Sequence, residues 1–472
     1  MDVITQGLVD DRPRTNRDIG VNVERLRESV VSGVRTALAA LLGAVGFVLL
    51  IACSNVSGLI LSRAAGRRRE IAVRAALGAG RLRLVRQLLA ESAALSLLGA
   101  VTGLGMAYAG VELLVALAPG EIPRLGEIGI DLSALAFTLL VSVIAAVVFG
   151  LFPALQVSKS NLTDSLKQRS TTQAWTTGRL LGQYLTASEV ALAMVLLVGA
   201  ALMVHTMVSL GRTDTGFDSA NAMTISISLA GSQFAPPERQ QAFFNDVLGG
   251  VGALPGVVSA GLANHVPVGG DTWRLDFTVD GSAGARDPGT SPNAVFRVAT
   301  PGYEKALGLR LIGGRWFENR DRSDSPGVVV VNELLARRYW GRIDPEGMRL
   351  KLGATDSEAA WLRVVGVVGD TIQSDVSQSP AAEIYFPSTQ NPVSFWTNTN
   401  LIVRTAGSPA GMGLALREAV WDIDPNLPVS NVQTLAQVLG SSLGQHRFNT
   451  TLLALLASIA LLLALVGKSA PA

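Results

Sequence analysis

The chain has 472 residues, of which 49% are apolar or aromatic and 16% charged, with a net charge of +2 and a mean hydropathy of +0.37. The charged share is well below the roughly 25% of ordinary soluble domains, and the shortage is concentrated in windows about 20 residues long, the pattern of membrane spans. The near-neutral balance argues against a broadly basic nucleic-acid surface. The single cysteine, Cys53, excludes an intrachain disulfide and a cysteine zinc site, and reads as a small apolar filler.

The first residues, MDVITQGLVDDRPRTNRD, are polar and lack the basic region and apolar run of a signal peptide. Five apolar runs follow, at about 36–62, 89–118, 132–153, 187–208 and 448–466. Each is long enough for a hydrocarbon core of about 30 Å at about 1.5 Å per helical residue. Gly43 and Gly46 in the first run, and Gly99, Gly103 and Gly105 in the second, are small residues of the kind that let membrane helices approach closely. Asn55, with Ser54 and Ser57, is a polar patch near the end of the first run, readable as an interhelical hydrogen bond or as the interfacial rim. Glu91 and Glu189 fall near run ends, where interfacial roles are expected.

Charge in the connecting loops predicts orientation. Eight arginines lie between Arg63 and Arg86, with Glu70 the one acid among them, so this loop is expected in the cytoplasm. The next loop carries Glu121, Glu127 and Asp131 against Arg124 and should face outward. Lys159, Lys167, Arg169 and Arg179 return the chain to the inside, which places 209–447 outside. Within the arginine segment, Glu70 and Arg74 are a favourable i,i+4 pair, and Ile71, Ala75, Gly78 and Leu82 align on one helical face. This pattern predicts a short amphipathic helix along the membrane. It either lies at the interface with snorkelled arginines or docks a cytoplasmic protein.

Residues 209–447 have the composition of a soluble α+β domain. NAMTISISLA, VVSAGLA, LRVVGVVGD, AEIYFP and NLIVRT read as strands. PPERQQAFFNDVLGGVGALPGV reads as a helix begun by proline and ended by glycine. GVVVVNELLARRYWG runs strand into helix, and GMGLALREAVWDIDPNLPV is a helix ended near Pro425. Small split βαβ subdomains are the expected arrangement. GLRLIGGRWF is expected to be a turn set held by Arg315 and Trp316. No catalytic or metal-binding set is evident around His205, His265 and His446. VVGVVGD lacks the GxGxxG-then-helix frame, and VGKSA, with Lys468 and Ser469, lacks the upstream glycine of a phosphate loop. No cofactor is therefore expected, and the chain is not expected to be an enzyme.

Taken together, GRRREIAVRAALGAGRLRLVRQLLAES, LLIACSNVSGLILSRA, FGLFPALQVSKSNLTDSLKQ, GFDSANAMTISISL, GRWF, VVVVNELLARRYW and LRVVGVVGD resemble the MacB/FtsX-like permeases of ABC transporter systems. The likeness is greatest to their acidobacterial-type duplicated members. It implies an α-helical integral membrane permease with about five transmembrane helices and a large extracytoplasmic α+β domain of MacB-like core type. It assigns 1–35 to the tail of a first extracytoplasmic domain and 36–160 to an FtsX-like permease domain with spans at about 36–62, 89–118 and 132–153. It assigns 161–186 to a cytoplasmic linker, 187–208 to a span, 209–447 to the MacB-like core domain, 448–466 to a span and 467–472 to a truncated cytoplasmic end. On this likeness the chain is expected to be an internal piece of a longer product.

The resemblance further implies partnership with a separate cytoplasmic ABC ATPase, membrane lipid, and a homodimer or second permease copy, and no nucleic acid. The implied location is the bacterial inner membrane, multi-pass, and the implied function is export or mechanotransmission. Glu70, Ile71, Arg74, Ala75, Leu77, Gly78 and Arg81 are the expected ATPase-coupling segment. A regulatory membrane protein that moves no solute is one alternative. A secondary transporter is another, disfavoured because the runs lack charge at midspan.

Overall fold

The computed structural model describes residues 35–76, 98–99, 101–116, a few positions between 129 and 140, and 172–469 apart from 235, 271, 281–291, 342, 345–346, 354–356 and 391–397. It divides into a helical unit, which includes residues up to His205 and from Arg447 onward, and a β-rich unit, Thr206–His446.

The helical unit is built on helix α1 (Arg35–Ala76), the apolar helix α2 (Val101–Ala116), helix α3 (Thr172–Gly211), which continues into the β-rich unit, and the terminal helix α9 (Gly444–Ser469). Among the described residues three helical stretches are long and apolar enough to cross a membrane: Arg35–Val56, Thr186–Gly211 and Gly444–Val466. The expectation of five is thus met by three. Of the second expected span a shorter apolar helix is described, and the third lies largely outside the described residues. The three long stretches meet along a seam of small residues. Ala44 and Ile51 of α1 pack with Ala193, Leu196 and Ala200 of α3 and with Ala457, Ala460 and Ala464 of α9. The spacings of three, four and seven keep each set on one helical face. Alanine allows close approach in lipid without the backbone entropy cost of glycine. Gly43, Gly46, Gly99, Gly103 and Gly105 have no described neighbour within 4 Å of a Cβ position, so the seam among the described residues is not built on them. Leu38, Leu42, Val45 and Leu50 are exposed among the described residues.

In the β-rich unit the elements follow as β1 (Ala222–Ser228), α4 (Pro237–Gly252), β2 (Val257–Ala263), β3 (Arg274–Val279), β4 (Asn293–Ala299), α5 (Tyr303–Leu307) and β5 (Leu311–Gly314). Then come β6 (Val328–Asn332), α6 (Glu333–Trp340), β7 (Arg349–Leu352), β8 (Leu362–Val368), β9 (Glu383–Pro387) and β10 (Asn398–Thr405). Helix α7 (Gly413–Trp421), β11 (Val429–Thr434) and α8 (Leu435–Ser442) complete it. Instead of small separate subdomains, all eleven strands join one mixed sheet, ordered β11-β1-β10-β2-β4-β3-β7-β8-β6-β9, with β5 on β8 and a further β4–β9 pairing. β4–β9 and β6–β8 are parallel, and the other pairings are antiparallel.

Alternation explains why the central strands read as continuous apolar runs. In β6, Val329 and Val331 enter one core while Val328 and Val330 enter the other. In β10, Leu401 and Val403 face the first and Ile402 the second. Successive side chains point to opposite faces, so a strand covered on both sides must be apolar throughout.

Local signals account for several boundaries. Asn332 caps α6 by accepting from the Leu335 N–H, and Gly341 ends that helix at φ 69°. Pro occupies the first turn of α4. Thr434 and Gln437 form a reciprocal capping box at the start of α8. Gly366 interrupts the valines of β8 because a Cβ there would lie 2.1 Å from the Arg315 carbonyl oxygen. The glycine in VVGVVGD therefore serves a strand crossing.

Candidate coupling site

Helix α1 is 42 residues long, about 63 Å at 1.5 Å per residue, roughly twice the hydrocarbon core. The apolar stretch ends at Val56, and the helix continues without a break through Arg67–Arg69, Glu70, Ile71, Arg74 and Ala75 to Ala76. The expected separate surface helix is thus replaced by an extension of the first span. Arginine, alanine, leucine and glutamate are strong helix formers, and together they outweigh the roughly 1 kcal/mol penalty of Gly66. Leu77, Gly78 and Arg81 lie outside the described residues, as does Glu91. Helix α3 has the same form. Its 40 residues begin at Thr172, well before the apolar stretch that starts at Thr186.

Polar groups gather where these stretches end. Asn55, one residue before the end of the α1 stretch, donates from Nδ2 to the Leu463 carbonyl of α9 at 2.9 Å. Of the two readings of Asn55, the interhelical bond is the one found. Ser54 is 6% exposed, and Glu189, near the start of the α3 stretch, is 4% exposed. The Ser54 hydroxyl lies against the Glu189 carboxyl without reaching full hydrogen-bond geometry. Glu189 lies near one end of its apolar stretch, as expected, and is buried there among the helices. A carboxyl this close to the end of an apolar stretch gives no outward sign in sequence of the side it faces.

At the other end of α3, Met207 and Leu210 pack with Phe217, Val268, Val376, Leu439 and Leu443 of the β-rich unit. Chain connectivity adds to this anchorage. Helix α3 feeds β1, and β11 leads through α8 into α9. β1 and β11 are hydrogen-bonded neighbours at one end of the sheet.

Inside the sheet, Arg297 of β4 and Glu383 of β9 are fully buried, with Nε and Oε1 3.6 Å apart. Arg297 donates to Gln373, and the Thr371 hydroxyl donates to Glu383 Oε2 at 2.8 Å. Burial pushes the Glu383 carboxyl above its ordinary range, with Arg297 and the surrounding hydrogen bonds opposing it. Burial also raises the Tyr303 and Tyr385 phenols beside the pair. Sequence reading passed over these charges. The signal was present in FRVA and AEIYF, because each places a charge on a strand face otherwise given to buried residues.

Arg315 holds a different site, just after strand β5, which occupies Leu311–Gly314 where a turn set was expected. It makes two 2.7 Å bonds to Asp321 and a third to the Trp316 carbonyl. Burial alone would raise the Asp321 carboxyl, but Arg315, the Glu318 N–H and nearby Arg320 hold it below its ordinary value. Trp316 is buried against Tyr303, Phe317 and Tyr385. Of the histidines, His265 packs edge-on to Trp273 and His446 lies 4.0 Å from Asp375. Gly467, Lys468 and Ser469 fall in the last helical residues of α9, so the sequence is not a loop after a strand.

Long apolar helices with a β-rich domain inserted in sequence between two of them define a membrane-anchored α+β protein. A family model for the FtsX-like permease C-terminal region matches residues 42–162, and one for the MacB-like periplasmic core domain matches 184–415. By these two models the chain belongs to the MacB/FtsX-like ABC-transporter permease family, and its long apolar helices are those of a multi-pass inner-membrane protein. Two Bacillus subtilis (strain 168) proteins are similar to it. The ABC transporter permease YknZ is 30% identical over 162 residues, covering 34% of this chain and 39% of YknZ. YvrN is 28% identical over 167 residues, covering 35% and 39%. The chain thus spans about two-fifths of the length of these relatives. The periplasmic region of MacB from Actinobacillus actinomycetemcomitans aligns with a TM-score of 0.31 at 16% identity, covering 47% of this chain and 94% of that one.

Proposed function

We propose that the chain is the permease subunit of an ABC-type export or mechanotransmission system, passing motion from a separate cytoplasmic ATPase to its extracytoplasmic domain. One observation carries this reading: the arginine segment up to Ala76 continues the helix of the first span. A protein bound to Glu70, Ile71, Arg74 and Ala75 thereby grips a helix that crosses the membrane. Leu77, Gly78 and Arg81 extend the docking segment. Lipid headgroups would satisfy the positive charge alone, but they are indifferent to where along the helix it lies. The remaining expected spans, within 89–118 and 132–153, complete a five-span permease in this reading. A homodimer or second permease copy completes the assembly.

The test is co-purification of ATP hydrolysis with the tagged chain at matched membrane insertion. Arg74→Glu places a second acid one turn from Glu70 and should reduce bound ATPase. Ala75→Trp leaves the net charge unchanged and should obstruct docking, whereas Arg68→Lys should have little effect. Full ATPase retention in both the Glu and Trp variants would reduce the segment to a topological anchor. Hydrolysis by the purified chain alone, lost on changing Lys468, would refute the division of labour.

A further inference from the structure

We propose that Ser54, Asn55 and Glu189, with the Leu463 carbonyl, form a polar latch that closes the three-span seam at its cytoplasmic end and opens when the ATPase acts. The inference rests on the coupling function proposed above. Three independent positions converge: Asn55 lies one residue before the end of the α1 stretch, Glu189 near the start of the α3 stretch, and Leu463 near the end of the α9 stretch. The seam beyond them is apolar, mostly alanine and leucine with Phe47, Val48 and Ile51. Such a surface permits close approach but fixes register weakly, because lipid supplies no hydrophobic drive between helices. A side-chain-to-backbone hydrogen bond has one register. The Asn55–Leu463 bond therefore holds α1 against α9 in one alignment.

The cluster is also incompletely satisfied. Among the described residues, Asn55 Oδ1 and the Ser54 hydroxyl are buried without a partner in full hydrogen-bond geometry, beside a buried carboxyl. A fully paired network would lock the seam, and an apolar one would leave it indifferent. A half-paired network loses much of the benefit of closure to unpaired acceptors. Its closed and opened forms are thereby brought near in free energy, as a moving contact requires. Its place in the chain determines what moves it. Immediately beyond the latch, α1 and α3 continue as the helical extensions 57–76 and 172–185. A displacement of either extension reaches these residues before any others in the seam.

The experiment uses cysteine pairs in a Cys53→Ala background, in inverted membrane vesicles of the native host, which contain the host's own ATPases. Asn55→Cys with Leu463→Cys reports the latch. Gly199→Cys with Leu453→Cys reports the seam at a second contact, where Leu453 Cδ2 lies 3.8 Å from the Gly199 Cβ position. Oxidative crosslinking is compared without nucleotide and with ATP plus vanadate. The latch pair should crosslink readily at rest and several-fold less in the trapped state. Once formed, the 55–463 disulfide should lower co-purifying ATP hydrolysis without releasing the ATPase, and reductant should restore it. A latch pair that never crosslinks, or crosslinks equally in both states, overturns the latch. So does undiminished hydrolysis with the disulfide closed. If the unmodified chain brings down no ATP hydrolysis at all, the coupling function fails and the latch fails with it. If it does, and the Gly199–Leu453 pair responds to nucleotide while the latch pair does not, the latch alone fails.

Discussion

Replacing Arg297 by methionine should unfold the β-rich domain at a markedly lower temperature. The guanidinium and the Glu383 carboxylate are both fully buried on adjacent parallel strands. Methionine keeps the length of the side chain and removes its charge. Glu383 would retain the Thr371 bond, but its nearby positive charge would be gone. Breaking a buried pair by removing one partner costs about 3–5 kcal/mol, because the other is left uncompensated. For a domain of this size each kcal/mol lowers Tm by about 2–4 °C, so the loss should be about 6–20 °C. Near-UV circular dichroism of the detergent-solubilised chain follows the melt through its external tryptophans. Adding Glu383→Leu should recover most of the loss, because an apolar pair of similar volume is often no worse than a buried ion pair.

The pH dependence supplies a second check. Glu383 is already raised by burial, and Arg297 is the chief influence opposing that rise. Without Arg297 its folded value climbs further above the unfolded value of about 4.3. A raised acid takes up a proton on folding, so the variant loses stability as pH rises from the unfolded value through the folded one. Its deficit should accordingly be smaller near about pH 5 than near about pH 8. A single variant within about 1 kcal/mol of the parent, or a double variant less stable than the single, would refute the reasoning.

Asp321→Asn removes the charged acceptor of two Arg315 bonds and should cost about 1.5–3 kcal/mol by chemical denaturation. Because the Asp321 carboxyl is depressed in the fold, its contribution is present above the unfolded value of about 3.9 and lost as pH falls through the lower folded one; the variant should lack this part of the acid loss. Gly366→Ala forces a Cβ against the Arg315 carbonyl and should cost at least about 1–3 kcal/mol. Gly249→Ala in α4 meets open space and should be neutral or stabilising by up to about 1 kcal/mol. Topology is best read at exposed Val258 and Leu414. Cysteines at 258 and 414 should label from outside intact cells with an impermeant reagent, and one at 68 only after membrane rupture.

Elements were more legible than their arrangement. Sequence reading located β1, β2, α4, β6 with α6, β8, β9, β10 and α7, because each carries a local period, cap or breaker. The β4–β9 pairing was not legible, because it joins strands more than eighty residues apart and depends on which apolar faces find each other. In the membrane unit the periodic alanines of α3 and α9 carried the packing information, while the more conspicuous glycines drew the expectation. The arginine segment was legible as charged and helical. Its continuity with the first span was not, since Gly66 is a weak local signal for a break and only the sum of its neighbours decides.

The external anchorage of α3 yields a last prediction about transmission. A helix passes on displacement only if its end is held. At the outer end of α3, Met207 and Leu210 are held in an apolar cluster with Val268, Val376 and Leu443. The same helix reaches back to Thr172 on the expected cytoplasmic side. Changing Met207 and Leu210 together to glycine removes the apolar grip and adds about 1 kcal/mol of helix penalty at each position. Lost side-chain burial adds about 1–2 kcal/mol more per residue, given that both are only partly buried. The two substitutions fall in the last turn of the stretch Thr186–Gly211 and leave the rest of the span and its cytoplasmic extension unchanged, so ATPase binding and nucleotide-dependent crosslinking at Gly199–Leu453 should persist. A fluorophore on Val258→Cys, exposed on the external domain, should lose its ATP-dependent signal. Loss of ATPase binding together with the external signal would point to a general assembly defect. An external signal unchanged in the double glycine variant would mean that motion reaches the domain by a path other than the held end of α3.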